Sequence, residues 1–154
     1  MAEKFLQFEL VTPERKLFSE QVYEVILPTK EGQISVFPDH LPIVSILKSG
    51  VLALRQTART SDSDLEHVAI SGGYVEITGN RVRVLADSAE RAEEISELRA
   101  QEAKKKAEQL VRSTQDQLET IGAAAALERA LTRIKVATLK KRRSHHGPNS
   151  SAGI

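Results

Sequence analysis

Two different periods run through this chain, and they divide it near Asp87. Before that point apolar residues recur at every second position and β-branched residues are frequent, which is the pattern of half-buried strands. Beyond it Ala, Glu, Lys, Arg and Leu dominate, and apolar residues fall three and four apart, as on one face of a helix. In the first part Leu6, Phe8 and Leu10 alternate with Gln7 and Glu9, and Tyr23, Val25 and Leu27 alternate with Glu24 and Ile26, a run that Pro28 ends. Ile34 to Phe37, Ile43 to Leu47, Val51 to Leu54, Val68 to Ile70, Tyr74 to Thr78 and Val82 to Leu85 follow as short strands. Turn signals separate them: Glu31-Gly32, Pro38, Ser49-Gly50, the polar stretch Thr57 to Asp64, Gly72-Gly73 and Gly79-Asn80. Strands this short at this spacing predict a sandwich or barrel, and two packed layers are the economical solution for residues 1–87.

The second part predicts an antiparallel helical hairpin over 88–143. Asp87-Ser88-Ala89-Glu90 offers an N-cap with a carboxylate three residues later, and Glu93 or Glu94 offers a later start. Ile95, Leu98, Ala103, Ala107 and Leu110 trace one face of a first helix. Ser113 to Asp116 is the turn, and a second helix runs from about Leu118 to Lys141. Its stripe is Ala123, Leu127, Ala130, Leu131, Ile134 and Ala137, small enough for two helices to approach closely. Gly122 lies inside this helix and costs roughly 1 kcal/mol relative to Ala. Residues 144–154 are polar, with Gly147, Pro148 and Gly153, and read as a disordered tail. The fold class is therefore α+β: an N-terminal β-sandwich of about ten short strands, then a two-helix hairpin.

Composition narrows the function. No apolar run approaches the roughly 20 residues a membrane span needs, and the N-terminus does not read as a signal peptide. There is no cysteine, which excludes disulfides and thiolate metal sites. The 22 basic and 21 acidic residues nearly cancel, against a dedicated nucleic-acid binder. Catalytic constellations are absent. The histidines are His40, His67, His145 and His146, with no HxxxH pair; His145-His146 reads as part of a solvated tail and not as a metal site. The glycines of Ile70-Ser71-Gly72-Gly73-Tyr74 lack the Gly-Lys-Ser/Thr of a P-loop. The one anomaly is charge: between Glu128 and Arg143 a single acidic residue accompanies Arg129, Arg133, Lys135, Lys140, Lys141, Arg142 and Arg143. Helix C-termini favour cations, but a block this one-sided also suits an acidic protein surface, a phosphate or an anionic membrane. On residues alone, a non-enzymatic adaptor whose basic hairpin docks an acidic partner fits.

Three strings carry a family resemblance. Residues 27–42, Leu-Pro-Thr-Lys-Glu-Gly-Gln-Ile-Ser-Val-Phe-Pro-Asp-His-Leu-Pro, resemble a signature of the epsilon subunits of F-type ATP synthases. So do Ile70-Ser71-Gly72-Gly73-Tyr74-Val75-Glu76 and Val84-Leu85-Ala86-Asp87-Ser88-Ala89-Glu90. Ser35 stands where the family usually has Gly. The resemblance spans residues 5 to 140 and implies a non-catalytic rotor subunit of the central stalk, coupling proton flow to ATP synthesis. It implies the gamma subunit, the c-subunit ring and the alpha and beta subunits of the catalytic core as partners. It implies no nucleic acid, no membrane insertion, and a peripheral place on the cytoplasmic face of a bacterial inner membrane. Glu31, Gly32, Gln33 and His40 would face the c-ring. The hairpin would swing between a docked state and an extended one in which the basic stretch inhibits ATP hydrolysis. Some members hold regulatory ATP; Glu90, Arg99, Arg129 and Arg133 match those contacts, while Ser96 replaces the family Asp. No cofactor is required.

Overall fold

A computed structural model describes residues 2–113 and 115–145. Eight strands form one continuous sheet: β1 (Leu6–Val11), β2 (Lys16–Val22), β3 (Glu24–Thr29), β4 (Gly32–Val36), β5 (His40–Arg55), β6 (Glu66–Gly79), β7 (Arg81–Ala86) and β8 (Ala89–Arg91). Two helices follow, α1 (Glu97–Ser113) and α2 (Gln117–His145). The strand order is β2-β1-β7-β6-β5-β3-β4, with β8 on β6 and the β1–β7 pair parallel.

Two long strands convert this one sheet into two layers. β5 and β6 are 16 and 14 residues long and pair antiparallel in one register from Ile43↔Ile77 to Leu54↔Glu66. The first half of β5 and the second half of β6 join β7, β1 and β2 in one layer. Their other halves join β3, β4 and β8 in the second layer. Strands that cross from one layer to the other need a bend at the corner. Here the corner falls at Leu47–Gly50 and Ile70–Gly73, where Gly72 and Gly73 take φ +85° and +121°. Ser49-Gly50 and Gly72-Gly73, expected to be turns, are therefore corners inside unbroken strands, which is why the sequence suggested more strands than exist. Pro28 likewise lies within β3. It sits where the β3–β5 register shifts between Ile26 and Thr29, so the missing amide donor breaks no ladder there.

Alternation gives each layer an inner face. Leu6, Phe8 and Leu10 of β1, Val82 and Val84 of β7, Val75 and Ile77 of β6, and Leu52 and Leu54 of β5 meet in one core with no exposed surface. β2, which no alternation announced, adds Phe18 and Val22. At the far end of β6, Gly79 takes φ +56° in a two-residue hairpin loop with Asn80, as expected of that pair.

The hairpin lies on the second layer. α2 packs on β5, β6 and the 3-10 turn Ala92–Glu94, while α1 packs mainly on α2. The buried faces keep Ala107, Ala123, Ala130 and Ala137 of the expected stripes, add Ala100 and Val136, and leave out the large residues. On α1 they are Ala100 and Ala107, and Leu98 and Leu110 point outward; on α2 they are Ala123, Ala130, Val136 and Ala137, and Leu131 is exposed. Among the described residues the interface is thus lined by alanines, with Val136 as its one larger fully buried side chain. The α2 helix also runs through Ser144 to His145, where a tail had been expected. The rest of that expected tail, residues 146–154, lies outside the described residues, as do His146 and Thr114 of the interhelical turn.

Candidate interaction surfaces

The two outer faces of the sandwich are finished differently. Layer one, the β2-β1-β7 layer, leaves aliphatic and aromatic side chains in solvent. Register places Ile46, Tyr74 and Leu85 side by side across three strands, and each is about half exposed. Along β5, Leu41 is 81% and Val44 71% exposed. The adjacent cross-strand row is charged: Arg83 Nε donates to Glu9 Oε2 at 3.1 Å, and Lys16 lies 3.6 Å from the same carboxylate. The Arg83 bond, chiefly, lowers the Glu9 pKa. A contiguous apolar strip with a charged border is the anatomy of a protein-docking surface, whereas scattered exposed apolar residues would need no explanation.

The turns expected to act together are separated. Lys30 and Glu31 form the β3–β4 turn and Gly32 opens β4; the turn is held to the corner by Lys30 N–H donating to Ile46 O at 2.9 Å. Gln33 follows on β4. His40 begins β5, six residues from Ile46, or about 20 Å along the strand. There Asp39, at φ +65°, is fixed by its N–H to Asn80 Oδ1 at 2.7 Å and by Lys4 at 2.5 Å. Hydrogen bonding from Lys4 holds the Asp39 carboxyl below its usual range. The structure thus places Glu31, Gly32 and Gln33 at one end of β4 and His40 at the other, against the Gly79-Asn80 loop.

The second outer face is covered by α2. Val136 is fully buried against Ala69 and Ala92, with Val51 and Ile95 packed alongside. Two ion pairs flank it: Arg133 to Glu90, and Lys141 Nζ to Glu97 Oε2 at 2.7 Å. All four charged groups are at least a third exposed, so each pair contributes at most about 1 kcal/mol.

Glu90, Arg99 and Arg133, proposed for nucleotide, do converge. With Ser96 and Glu94 they line a cleft of about 180 Å³ between the hairpin root and α2. Arg129 lines the neighbouring hollow with Glu90, Ser71 and Ser88. That volume is below the roughly 300 Å³ at which ligand pockets begin, and the Arg133 guanidinium already holds Glu90. A phosphate entering here would have to displace that carboxylate. Of the remaining basic stretch, Lys135, Lys140, Arg142 and Arg143 are exposed. Sequence reasoning missed Val136, Arg91 and the apolar strip; only the register of the strands reveals the strip.

Comparison with known proteins agrees with this architecture. Residues 5–92 match the family model described as ATP synthase, Delta/Epsilon chain, beta-sandwich domain, and residues 93–138 match the long alpha-helix domain of the same chain. A protein of Syntrophobacter fumaroxidans named ATP synthase epsilon chain is 46% identical over 139 residues, covering 89% of this chain and 98% of its own length. One of Nitratidesulfovibrio vulgaris, with the same name, is 43% identical over 134 residues, covering 87% and 96%. Among solved structures, a chain of the Euglena gracilis mitochondrial ATP synthase (OSCP/F1/c-ring, rotational state 1) shares the fold at TM-score 0.72 and 22% identity, covering 87% of this chain and 81% of that one. Both structural halves and nearly the whole described length thus match one family, and the chain belongs to the delta/epsilon chains of ATP synthase.

Proposed function

We propose that this chain is a central-stalk subunit of a proton-translocating ATP synthase. Its sandwich is fixed to the rotor, and its hairpin restrains ATP hydrolysis when it leaves the sandwich. The carrying observation is the contrast between the two outer faces. One is left apolar and exposed, ready for a permanent partner; the other is covered by a helix through a small alanine-rich contact, ready to be uncovered.

The layer-one strip is assigned to the gamma subunit, with His40 at its far margin beside Leu41. The Glu31-Gly32-Gln33 turn is assigned to the c-ring. The protein would sit peripherally at the membrane; no helix among the described residues is long and apolar enough to cross one. In the docked state Arg133 rests on Glu90 of the hairpin root, while Lys141 rests on Glu97 inside the hairpin. On leaving, α2 would exchange Glu90 for acidic groups of the beta subunits, so docked and extended states differ little in charge neutralisation and a modest bias decides between them. Nucleotide is not needed for this switch.

Binding of gamma by wild-type and Val44→Glu chains tests the assignment. The substitution puts a charge beside Ile46, opposite Glu76 at the charged border of the strip, and is expected to weaken binding by about tenfold. Glu31→Lys, on the ring-facing turn, should leave it unchanged. Equal gamma affinity for wild type and Val44→Glu would remove the strip from the interface.

A further inference from the structure

We propose that Arg91 anchors the root of the hairpin to the sandwich, so that the hairpin pivots at Ile95–Ser96 and not at Asp87, where the sequence pattern changes. The inference rests on the hairpin leaving the sandwich as a unit, and it names where that unit begins.

Residues 88–94 are tied to the sandwich by contacts that do not involve either helix. β8 pairs with β6 through Arg91↔Val68, Glu90↔Ala69 and Ala89↔Ile70. Ser88 O accepts from Ser71 N–H at 3.1 Å. The Arg91 guanidinium then reaches across to β2. It stacks 3.9 Å above the buried Phe18 ring, donates from Nη2 to Leu17 O at 2.7 Å, and lies 3.8 Å from Glu66. One side chain therefore joins the root to strands of both layers. Stacking on an aromatic face and forked donation are geometries that lysine does not reproduce.

The next turn is fastened separately. Glu94 accepts from the Arg91 backbone N–H at 3.2 Å, and its other oxygen takes Arg15 Nη2 at 2.6 Å from the β1–β2 connection. The Arg15 bond, chiefly, keeps the Glu94 carboxyl below its usual range. Ala92 is buried. Beyond Glu94 this changes. Ile95 and Ser96 belong to no helix or strand, and α1 begins at Glu97. α1 packs mainly on α2, so among the described residues nothing comparable to Arg91 holds its start to the strands. When α2 releases its contact at Val136, the first backbone free to rotate is Ile95–Ser96.

Native-state hydrogen exchange on the full chain, followed through a denaturant series, reads this directly. The expected result is that amides of residues 89–91 open together with β6, while those of α1 and α2 open at lower denaturant. In Arg91→Ala the 89–91 amides should lose about tenfold or more in protection, with β1 and β7 unchanged. Opening of 89–91 together with α2 in the wild type would overturn the pivot while leaving a mobile hairpin intact. A single opening event for strands and helices together would overturn both readings. Uniform loss of protection in Arg91→Ala would make the residue an ordinary contributor to stability and not an anchor.

Discussion

Val136→Ala tests how weakly the hairpin is held. Among the described residues Val136 is the one fully buried larger side chain between α2 and the sandwich, and its neighbours in that cluster are Ala69, Ala92, Val51 and Ile95. Removing two methyl groups loses about 1.6 kcal/mol of transfer free energy. The alanine neighbours are too short to close the space left behind, so a cavity term raises the total to about 2 kcal/mol. Because these contacts exist only in the docked state, the docked-to-undocked ratio should fall by about thirtyfold, at 1.4 kcal/mol per decade. Alanine is also the better helix former by a few tenths of a kcal/mol, so α2 itself gains while its docking loses. The chain has no native cysteine, so nitroxides placed by Thr138→Cys and Gln21→Cys report only the intended pair. Pulsed EPR distances should show the long-distance population growing in Val136→Ala. An unchanged distance distribution, or a melting midpoint of the sandwich falling in step with docking, would refute the reasoning.

Three further outcomes follow from particular residues. Gly73→Ala should abolish folding of the sandwich: at φ +121° an added Cβ would lie 2.1 Å from Leu85 O, and circular dichroism of the purified variant would show loss of sheet. Gly122→Ala should stabilise α2 by about 1 kcal/mol, since nothing lies within 4 Å of the new methyl, and helix content on heating reads the gain. His67, lowered by burial first and by Arg143 second, is charged less readily when folded than when unfolded. The unfolded chain therefore binds the extra proton first. Stability should fall as pH drops below about 6.5, most at the α2 end near Arg143, and His67→Gln should flatten that slope in denaturation curves taken between pH 7 and 5.

Much of the division into strands and helices was legible because period is a local property. The alternation of β1 and β7 survives intact in the structure. What was not legible depends on pairing. Whether Gly72-Gly73 closes a turn or bends a strand depends on β5 continuing opposite it in the same register, which no local pattern records. β2 was missed because Lys16, Ser19 and Gln21 interrupt its apolar residues, and only Phe18 and Val22 are buried. The helical stripes held at Ala107, Ala123, Ala130 and Ala137 and failed at their large members for a physical reason. Leu98, Leu110 and Leu131 are more apolar than the alanines, yet close helix packing selected the small residues and left the large ones outside.

The candidate residues divide in the same way. Glu90, Arg99, Arg129 and Arg133 converge around adjoining hollows, as their spacing on the hairpin allows. Glu31 and His40 are neighbours in the signature string but stand at opposite ends of β4. Arg91 had no signal at all. An arginine between two helix-start candidates reads as surface charge until Phe18 is seen beneath it.

The central claim is that a fixed platform carries a removable brake. Reconstituting the synthase with a chain ending at Glu94, which keeps the Arg91 anchor and removes both helices, tests it most directly. The account predicts normal assembly with gamma and the ring, and ATP hydrolysis faster than with the full chain. A truncated chain that fails to join the rotor, or one that joins and leaves hydrolysis unchanged, would contradict it.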